Sequence, residues 1–196
     1  YHAGIAQASG QHVGWATAFI DFDNDGDKDI FKVNGELKHL YGQEDQLFEN
    51  VDVEKFNDIS VESGPHFLEE KVSRGACFGD YDNDGDIDVY IVNLDDYGIL
   101  LRNDRGNKNN WLILHLKGTE SSRDAIGARV KVTVNGVTQI DQKKGGCGYL
   151  SQNDPRLHFG LGDAESVDKI EITWPAGSEQ VLENVKANQI MVIEEE

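Results

Sequence analysis

The stretch DFDNDGDKD at residues 21–29 places five aspartates in nine residues, and DYDNDGDID at residues 80–88 repeats the arrangement. Around the two stretches, ATAFIDFDNDGDKDIFKVN aligns with GACFGDYDNDGDIDVYIVN, aromatic residue against aromatic residue. Self-similarity at a fixed spacing is the sequence signature of repeat architectures. Each acidic stretch is therefore one part of a larger unit that occurs twice.

Each acidic stretch is predicted to join two β-strands. Residues with the alternating pattern of a β-strand precede each stretch. Short segments rich in β-branched and aromatic residues follow it, namely IFKV from Ile30 and VYIV from Val89. QLFEN, KFNDIS and GILLRN continue in the same style, and no segment before residue 105 has a sustained helical period. A unit of this length with several short strands predicts one blade of a β-propeller, so we expect two propeller-type blades.

The clustered aspartates are predicted to bind a divalent cation in each loop. Carboxylates a few ångströms apart repel by about 1 kcal/mol per pair in water, and Ca²⁺, which accepts about six to eight oxygens, reverses the sign of that energy. Alternate side chains can point at one ion, the glycine permits the sharp turn, and the carbonyl of the fourth aspartate can point inward. The predicted ligands of the two calcium sites are Asp21, Asp23, Asp25, Asp27 and Asp29, and Asp80, Asp82, Asp84, Asp86 and Asp88.

Three other interpretations of the loops are weaker. An EF-hand also begins D-x-D-x-D-G, but it needs a bidentate Glu at the twelfth position and flanking helices, whereas Lys32 and Ile91 stand there inside predicted strands. Magnesium prefers a tight octahedron that keeps several waters. A solvated acidic turn without an ion is hard to reconcile with two matching loops. Asn24 and Asn83, between the ligands, are expected to serve the turn.

The two units resemble FG-GAP or VCBS repeats, the calcium-loop blades of integrin α-subunit propellers and of many secreted bacterial proteins. The connecting segment LFENVDVEKFNDISVESG, residues 47–64, is similar to that family's link between blades. The resemblance covers roughly residues 5–105. It implies structural calcium that is enclosed by protein, with no catalysis at the ion, and we assign residues 1–105 to two such repeats.

The second half of the chain, residues 106–196, is predicted to be a small β-sandwich. A polar, asparagine-rich run between Asn103 and Asn110 marks the boundary. Short alternating segments follow, separated by turn dipeptides. They are WLILHLKG, IGARVKVTV, GVTQIDQK, RLHFGLG, VDKIEITWP, EQVLENV and QIMVIEE. The predicted core residues are Val132, Val134, Ile170, Ile172 and Trp174.

This half resembles the ASPIC and UnbV domain, which typically follows calcium-loop repeats. The segments that carry the resemblance are NWLILHLKGTESSRDAIGARVKV, GYLSQNDPRLHFGLG and ITWPAGSEQVLENVKANQ. Because the biochemical role of that family is poorly defined, the resemblance implies a fold and a location more than an activity.

Composition limits the partners and the chemistry. A formal net charge of −18, from 36 acidic and 18 basic residues, disfavours nucleic acid and anionic membranes, and no apolar run reaches membrane-spanning length. Cys77 is expected to be a small buried side chain on a strand, Cys147 lies in a glycine-rich bend, and a disulfide between them is left open. No nucleophile, zinc or phosphate-loop motif is present, and His115 and His158 are expected to be packed strand residues.

These observations predict a non-catalytic, calcium-binding module for protein or glycan interaction or adhesion. Calcium is scarce in the cytosol, so we expect a secreted, extracellular, cell-surface or periplasmic protein. Two blades cannot close a propeller, so further blades, subunits or a partner are expected to cover the open strand edges. Two alternatives remain: a structural subunit of a filament, surface layer or larger complex, and the C-terminal part of a larger propeller enzyme. The chain begins with Tyr, which favours a processed or trimmed product.

Overall fold

Short alternating segments form β-strands throughout the part of the chain that the structure describes, residues 3–38, 41–52, 55–104 and 108–196. In this computed structural model the described residues form an all-β fold of four sheets, none closed into a barrel, which confirms the predicted fold class. In chain order the strands are β1 (Gly14–Ile20), β2 (Asp29–Asn34), β3 (Gln46–Asp52), β4 (Lys55–Asp58), β5 (Ser73–Gly79), β6 (Asp88–Asn93), β7 (Ile99–Leu101), β8 (Asn110–Lys117), β9 (Arg129–Val134), β10 (Val137–Gln142), β11 (Leu157–Gly162), β12 (Ser166–Thr173), β13 (Glu179–Lys186) and β14 (Gln189–Glu194).

Helical structure is short within the described ranges. It consists of α1 (Ile5–Ser9), which the sequence did not predict, and two 3₁₀ turns, Ser60–Glu62 and Pro65–Leu68. None of these helices approaches the length needed to cross a bilayer.

The sequence repeat is also a backbone repeat. One antiparallel sheet has the order β1-β2-β3-β4 and a second has the order β5-β6-β7. The first pair of strands in each sheet has the same irregularity in register, between Gly14 and Thr17 and between Ser73 and Ala76. The two sheets share one apolar core, in which the rings of Phe31 and Phe78 lie 5.6 Å apart.

The C-terminal residues form two further sheets around a second core. Their orders are β10-β9-β12-β13 and β11-β8-β14, and each of the seven predicted segments contains a strand. Val132, Ile170, Ile172 and Trp174 are fully or almost fully buried, as predicted, whereas Val134 is only half-buried beside that core.

The cysteines differ in part from the expectation. Cys77 lies on β5 as predicted, but it is half-buried because its neighbours Ala76 and Phe78 occupy the face of the strand that points into the core. Cys147 is also half-buried, and both are free thiols.

Candidate metal centres

The first acidic loop connects β1 to β2 and gathers three carboxylates. Asp21 follows β1 and Asp29 begins β2, so the antiparallel pairing of the strands holds the two ends of the loop together. Asp21, Asp23 and Asp29 each offer an oxygen, and these three oxygens lie within 4.8 Å of one another. Asp21 and Asp29 are buried, and Asp23 is half-buried.

The second acidic loop connects β5 to β6 and repeats this arrangement. Asp80, Asp82 and Asp88 offer three oxygens within the same 4.8 Å limit. Asp80 and Asp88 are buried at the strand ends, while Asp82 is exposed. The first, third and ninth positions of both loops therefore converge.

The glycine at the sixth position closes each loop onto its first aspartate. The N–H of Gly26 donates to Asp21 Oδ2 at 3.1 Å, and the N–H of Gly85 donates to Asp80 Oδ2 at 3.1 Å. Both glycines have positive φ, 100° and 97°, which a residue with a side chain adopts only under strain. The sharp turn predicted at the glycine is confirmed in both loops.

An asparagine on the third strand of the first sheet, and one just after the third strand of the second, each bind the ninth aspartate of their loop. The N–H of Asn50 donates to Asp29 Oδ1 at 2.8 Å, and the N–H of Asn103 donates to Asp88 Oδ1 at 2.8 Å. The sequence reasoning missed both asparagines. A partial signal was present, because LFEN and LLRN are similar segments that both end in asparagine, but Asn50 follows Asp29 by 21 residues and Asn103 follows Asp88 by 15.

The other four predicted ligands lie outside these two triads. The Oδ1 atoms of Asp25 and Asp84 accept the N–H groups of Asp27 and Asp86, at 2.9 and 3.1 Å. Their predicted roles, including the two inward-pointing carbonyls at Asp27 and Asp86, stay predictions.

Burial makes the carboxylates of the first loop costly to ionise. It raises the pKa of Asp21 to about 7. The positive charge of Lys28 opposes this rise in pKa, whereas the negative charges of Asp25 and Asp23 add to it. Burial also raises the pKa of Asp29 to about 8, although two backbone N–H groups oppose the shift. A bound cation would remove this cost.

The carboxylate pKa values of the second loop are raised less. Burial raises the pKa of Asp88 to about 6 and raises that of Asp80, where the N–H groups of Gly85 and Asp84 oppose the shift. Greater exposure of this loop accounts for the difference between the two.

The oxygens of the first loop fit a hard cation. Among the described residues, the Oδ1 atoms of Asp21, Asp23 and Asp27 are buried and accept no hydrogen bond. A buried acceptor without a donor costs free energy unless another group satisfies it. An all-oxygen, carboxylate-rich set is the chemistry that Ca²⁺ and Mg²⁺ accept, so the residues present can hold a metal ion.

Both loops lie against the C-terminal half of the chain. His158 Nε2 donates to the Gly85 carbonyl at 2.9 Å, and Arg156 donates to the Asp80 carbonyl at 2.6 Å and to Asn83 Oδ1 at 2.7 Å. Burial lowers the pKa of His158 to about 4, so the ring is neutral at pH 7 and this nitrogen carries its proton. His158 is thus a packed strand histidine, as predicted, with an added contact to the second loop.

Comparison with known proteins agrees with the C-terminal half of this description. Residues 118–196 match the family described as ASPIC and UnbV. The chain is also similar to cartilage acidic protein 1 of Homo sapiens, with 31% identity over 176 residues, which is 87% of this chain and 26% of that protein. The corresponding proteins of Mus musculus and Xenopus tropicalis are 31% and 29% identical over 163 residues, 80% of this chain and 25% of each protein. The chain thus spans about a quarter of the length of these relatives.

Proposed function

We propose that the chain is a non-catalytic, calcium-stabilised extracellular module. Two blades of the FG-GAP or VCBS type, within residues 1–105, each hold one Ca²⁺, and a domain of the ASPIC and UnbV type, residues 106–196, packs on the loops that hold the ions. The module presents this assembly to a protein or glycan partner.

The observation that carries the proposal is the duplicated triad. Asp21, Asp23 and Asp29 converge in the first loop and three equivalent aspartates converge in the second, with the same backbone hydrogen bonds. Carboxylates that converge in this way, two of them buried in each loop, repel one another when ionised, and calcium accepts the irregular geometry that a loop offers. Calcium at the required concentration is found outside the cytosol, and similarity to cartilage acidic protein 1 supports the same location.

Partner binding is supported by an open sheet face. On β6 and β7 the side chains of Tyr90, Val92 and Leu100 point away from the core and are 44%, 49% and 50% exposed. A further blade, another subunit or a bound partner would bury this face. A screen of glycans and surface proteins with calcium present tests this part of the proposal, and a screen without any binding would count against it.

Thermal unfolding with and without calcium tests the ion sites. If each site binds with a dissociation constant between about 0.1 and 1 mM, calcium at ten times that value adds about 1.4 kcal/mol per site. We expect chelator to lower the melting temperature by several degrees and calorimetric titration to give two ions per chain. A melting temperature that does not change on chelation would contradict the proposal.

A charge-matched control separates ligation from general charge reduction. The double variant Asp23→Asn, Asp82→Asn removes one triad carboxylate from each loop and should lose the response to calcium. The double variant Asp168→Asn, Glu183→Gln removes the same two charges from exposed positions on β12 and β13 and should keep that response.

A further inference from the structure

Asn24 connects the two acidic loops directly. It stands between Asp23 and Asp25 in the first loop and is fully buried. Its Nδ2 donates to the carbonyl oxygen of Gly85 at 3.2 Å and to Asp86 Oδ1 at 3.3 Å, both in the second loop. One amide group thus uses its donors on two adjacent residues of the other candidate site.

The matching residue of the second loop behaves differently. Asn83 is exposed, and its Oδ1 accepts a hydrogen bond from Arg156 rather than reaching the first loop. Both asparagines have the left-handed backbone that the turn needs, with φ of 61° for Asn24 and 62° for Asn83. The turn role predicted for both residues is therefore confirmed, and the contact across the loops is an additional property of Asn24.

We propose that Asn24 is a positioning residue for the cation site of the second loop and couples the two sites, so that filling one strengthens binding at the other. This inference rests on the proposed function, because it requires that both loops bind a cation.

The coupling follows because the backbone of Asn24 belongs to the first loop and its side-chain amide is bonded to the second. Closure of the first loop around a cation fixes Asp23 and Asp25, and with them the backbone of Asn24. The fixed amide then holds Gly85 and Asp86, the segment whose carbonyl is predicted to face the second cation. Because binding free energies are linked, the effect must be reciprocal.

A second set of contacts holds the first loop in place for this role. The Asn24 carbonyl accepts the N–H of Gly162 at 2.8 Å, and the Asn109 side chain donates to the Asp23 carbonyl at 2.9 Å. The Asn103 side chain donates to the Phe22 carbonyl. The first loop is therefore held beside the second by residues that follow β7 and by the end of β11, which keeps the Asn24 amide within reach of Gly85 and Asp86.

Calcium titration of single-site variants tests the inference. Asp23→Asn leaves the second loop as the intact site, and Asp82→Asn leaves the first. Adding Asn24→Gly to Asp23→Asn should weaken calcium binding at the second loop on the order of tenfold, since two hydrogen bonds are lost, one of them to a carboxylate. In the chain with both loops intact, the same change should abolish positive cooperativity.

Asn83→Gly is the matched control, since glycine accepts the same backbone conformation at both positions. Added to Asp82→Asn, it should leave calcium binding at the first loop unchanged. If Asn24→Gly does not fold, as judged by circular dichroism, Asn24→Asp keeps the shape while replacing the amide donors and should also weaken the second site.

Two failures are distinguishable. If the unmodified chain binds no calcium, the proposed function is overturned together with the inference. If the second loop binds calcium equally well with and without Asn24→Gly, only the inference is overturned.

Discussion

A Cβ atom at residue 85 would lie 2.0 Å from Cε2 of Trp111, so the indole already occupies the space that any side chain at Gly85 would need. Trp111 is the second residue of β8, the first strand of the C-terminal half, and Gly85 is the turn residue of the second acidic loop. The second loop is thus packed directly against the first strand of the C-terminal sheets.

This contact predicts a large effect of Gly85→Ala. The methyl group would clash with Trp111 and the backbone would be strained by its positive φ, so we expect a loss of stability of about 2–4 kcal/mol. Chemical denaturation monitored by circular dichroism measures the change. Gly26→Ala is the matched control, because its φ is similar but the nearest atom to a new Cβ is 3.3 Å away, on the Gln139 side chain. Equal losses in the two variants would contradict the role of Trp111.

The raised pKa values predict an unusual pH dependence without calcium. The unfolded chain releases the protons of Asp21 and Asp29 near pH 3.8, whereas the folded chain keeps them until about pH 7 and 8. Between these limits the folded state holds more protons, so its free energy of unfolding falls as pH rises from about 4 to 8. Melting temperatures in metal-depleted buffer should therefore decrease across this range.

Calcium should reduce that slope, because a cation binds the ionised carboxylates and competes with protons. The stabilisation by calcium is expected to be larger at pH 8 than at pH 5. Asp29→Asn should flatten the metal-free slope, which distinguishes this residue from the general repulsion of an acidic chain. A metal-free melting temperature that rises between pH 4 and 8 would argue against the assignment.

Glu195 predicts the opposite pH dependence at the end of β14. Burial alone would raise its pKa, but the N–H and hydroxyl groups of Ser121, the N–H of Thr119 and the hydroxyl of Ser178 outweigh burial and lower the pKa to about 2. The ionised group therefore stabilises the fold above about pH 4.5, and this contribution is lost as pH falls towards 2. Glu195→Gln should lower the melting temperature at pH 7 and have little effect near pH 2. The exposed Glu196→Gln should leave both values unchanged.

Arg156 predicts a specific requirement for guanidinium. It pairs with Asp154 through two nitrogens while also binding the Asp80 carbonyl and Asn83. A lysine cannot form all of these bonds at once, so Arg156→Lys should cost about 1–3 kcal/mol of stability. Denaturant titration measures this loss. A negligible effect of Arg156→Lys, comparable to that of Arg129→Lys on the exposed side of β9, would contradict the requirement.

The sequence predicted the strands and the gathering of aspartates because both depend on local patterns. Alternation of apolar residues defines the strands, and the spacing of the aspartates around glycine defines the loops. The repeat also predicted that the two loops would have similar structures. The equivalent hydrogen bonds of Gly26 and Gly85 confirm this prediction.

The contacts between the loops and the C-terminal half could not be predicted in this way. Asn24 and Asn83 occupy the same position in identical DNDGD text, yet only Asn24 is buried at the other loop. The difference arises from what packs around each loop, which depends on residues more than 70 positions away, such as Arg156 and Gly162. Local sequence does not contain that information.

The strand order β11-β8-β14 has a consequence for how the chain folds as it is synthesised. β8 is the middle strand of its sheet, and its neighbours along both edges, β11 and β14, are made much later. One edge of β8 can pair with β11 once residues 157–162 have been made, but its other edge stays unpaired until residues 189–194 have been made. The strands β1–β7, in contrast, each pair with the strand that directly precedes or follows them in the chain. We expect the N-terminal sheets to form first, and the C-terminal sheets to be completed later and more slowly.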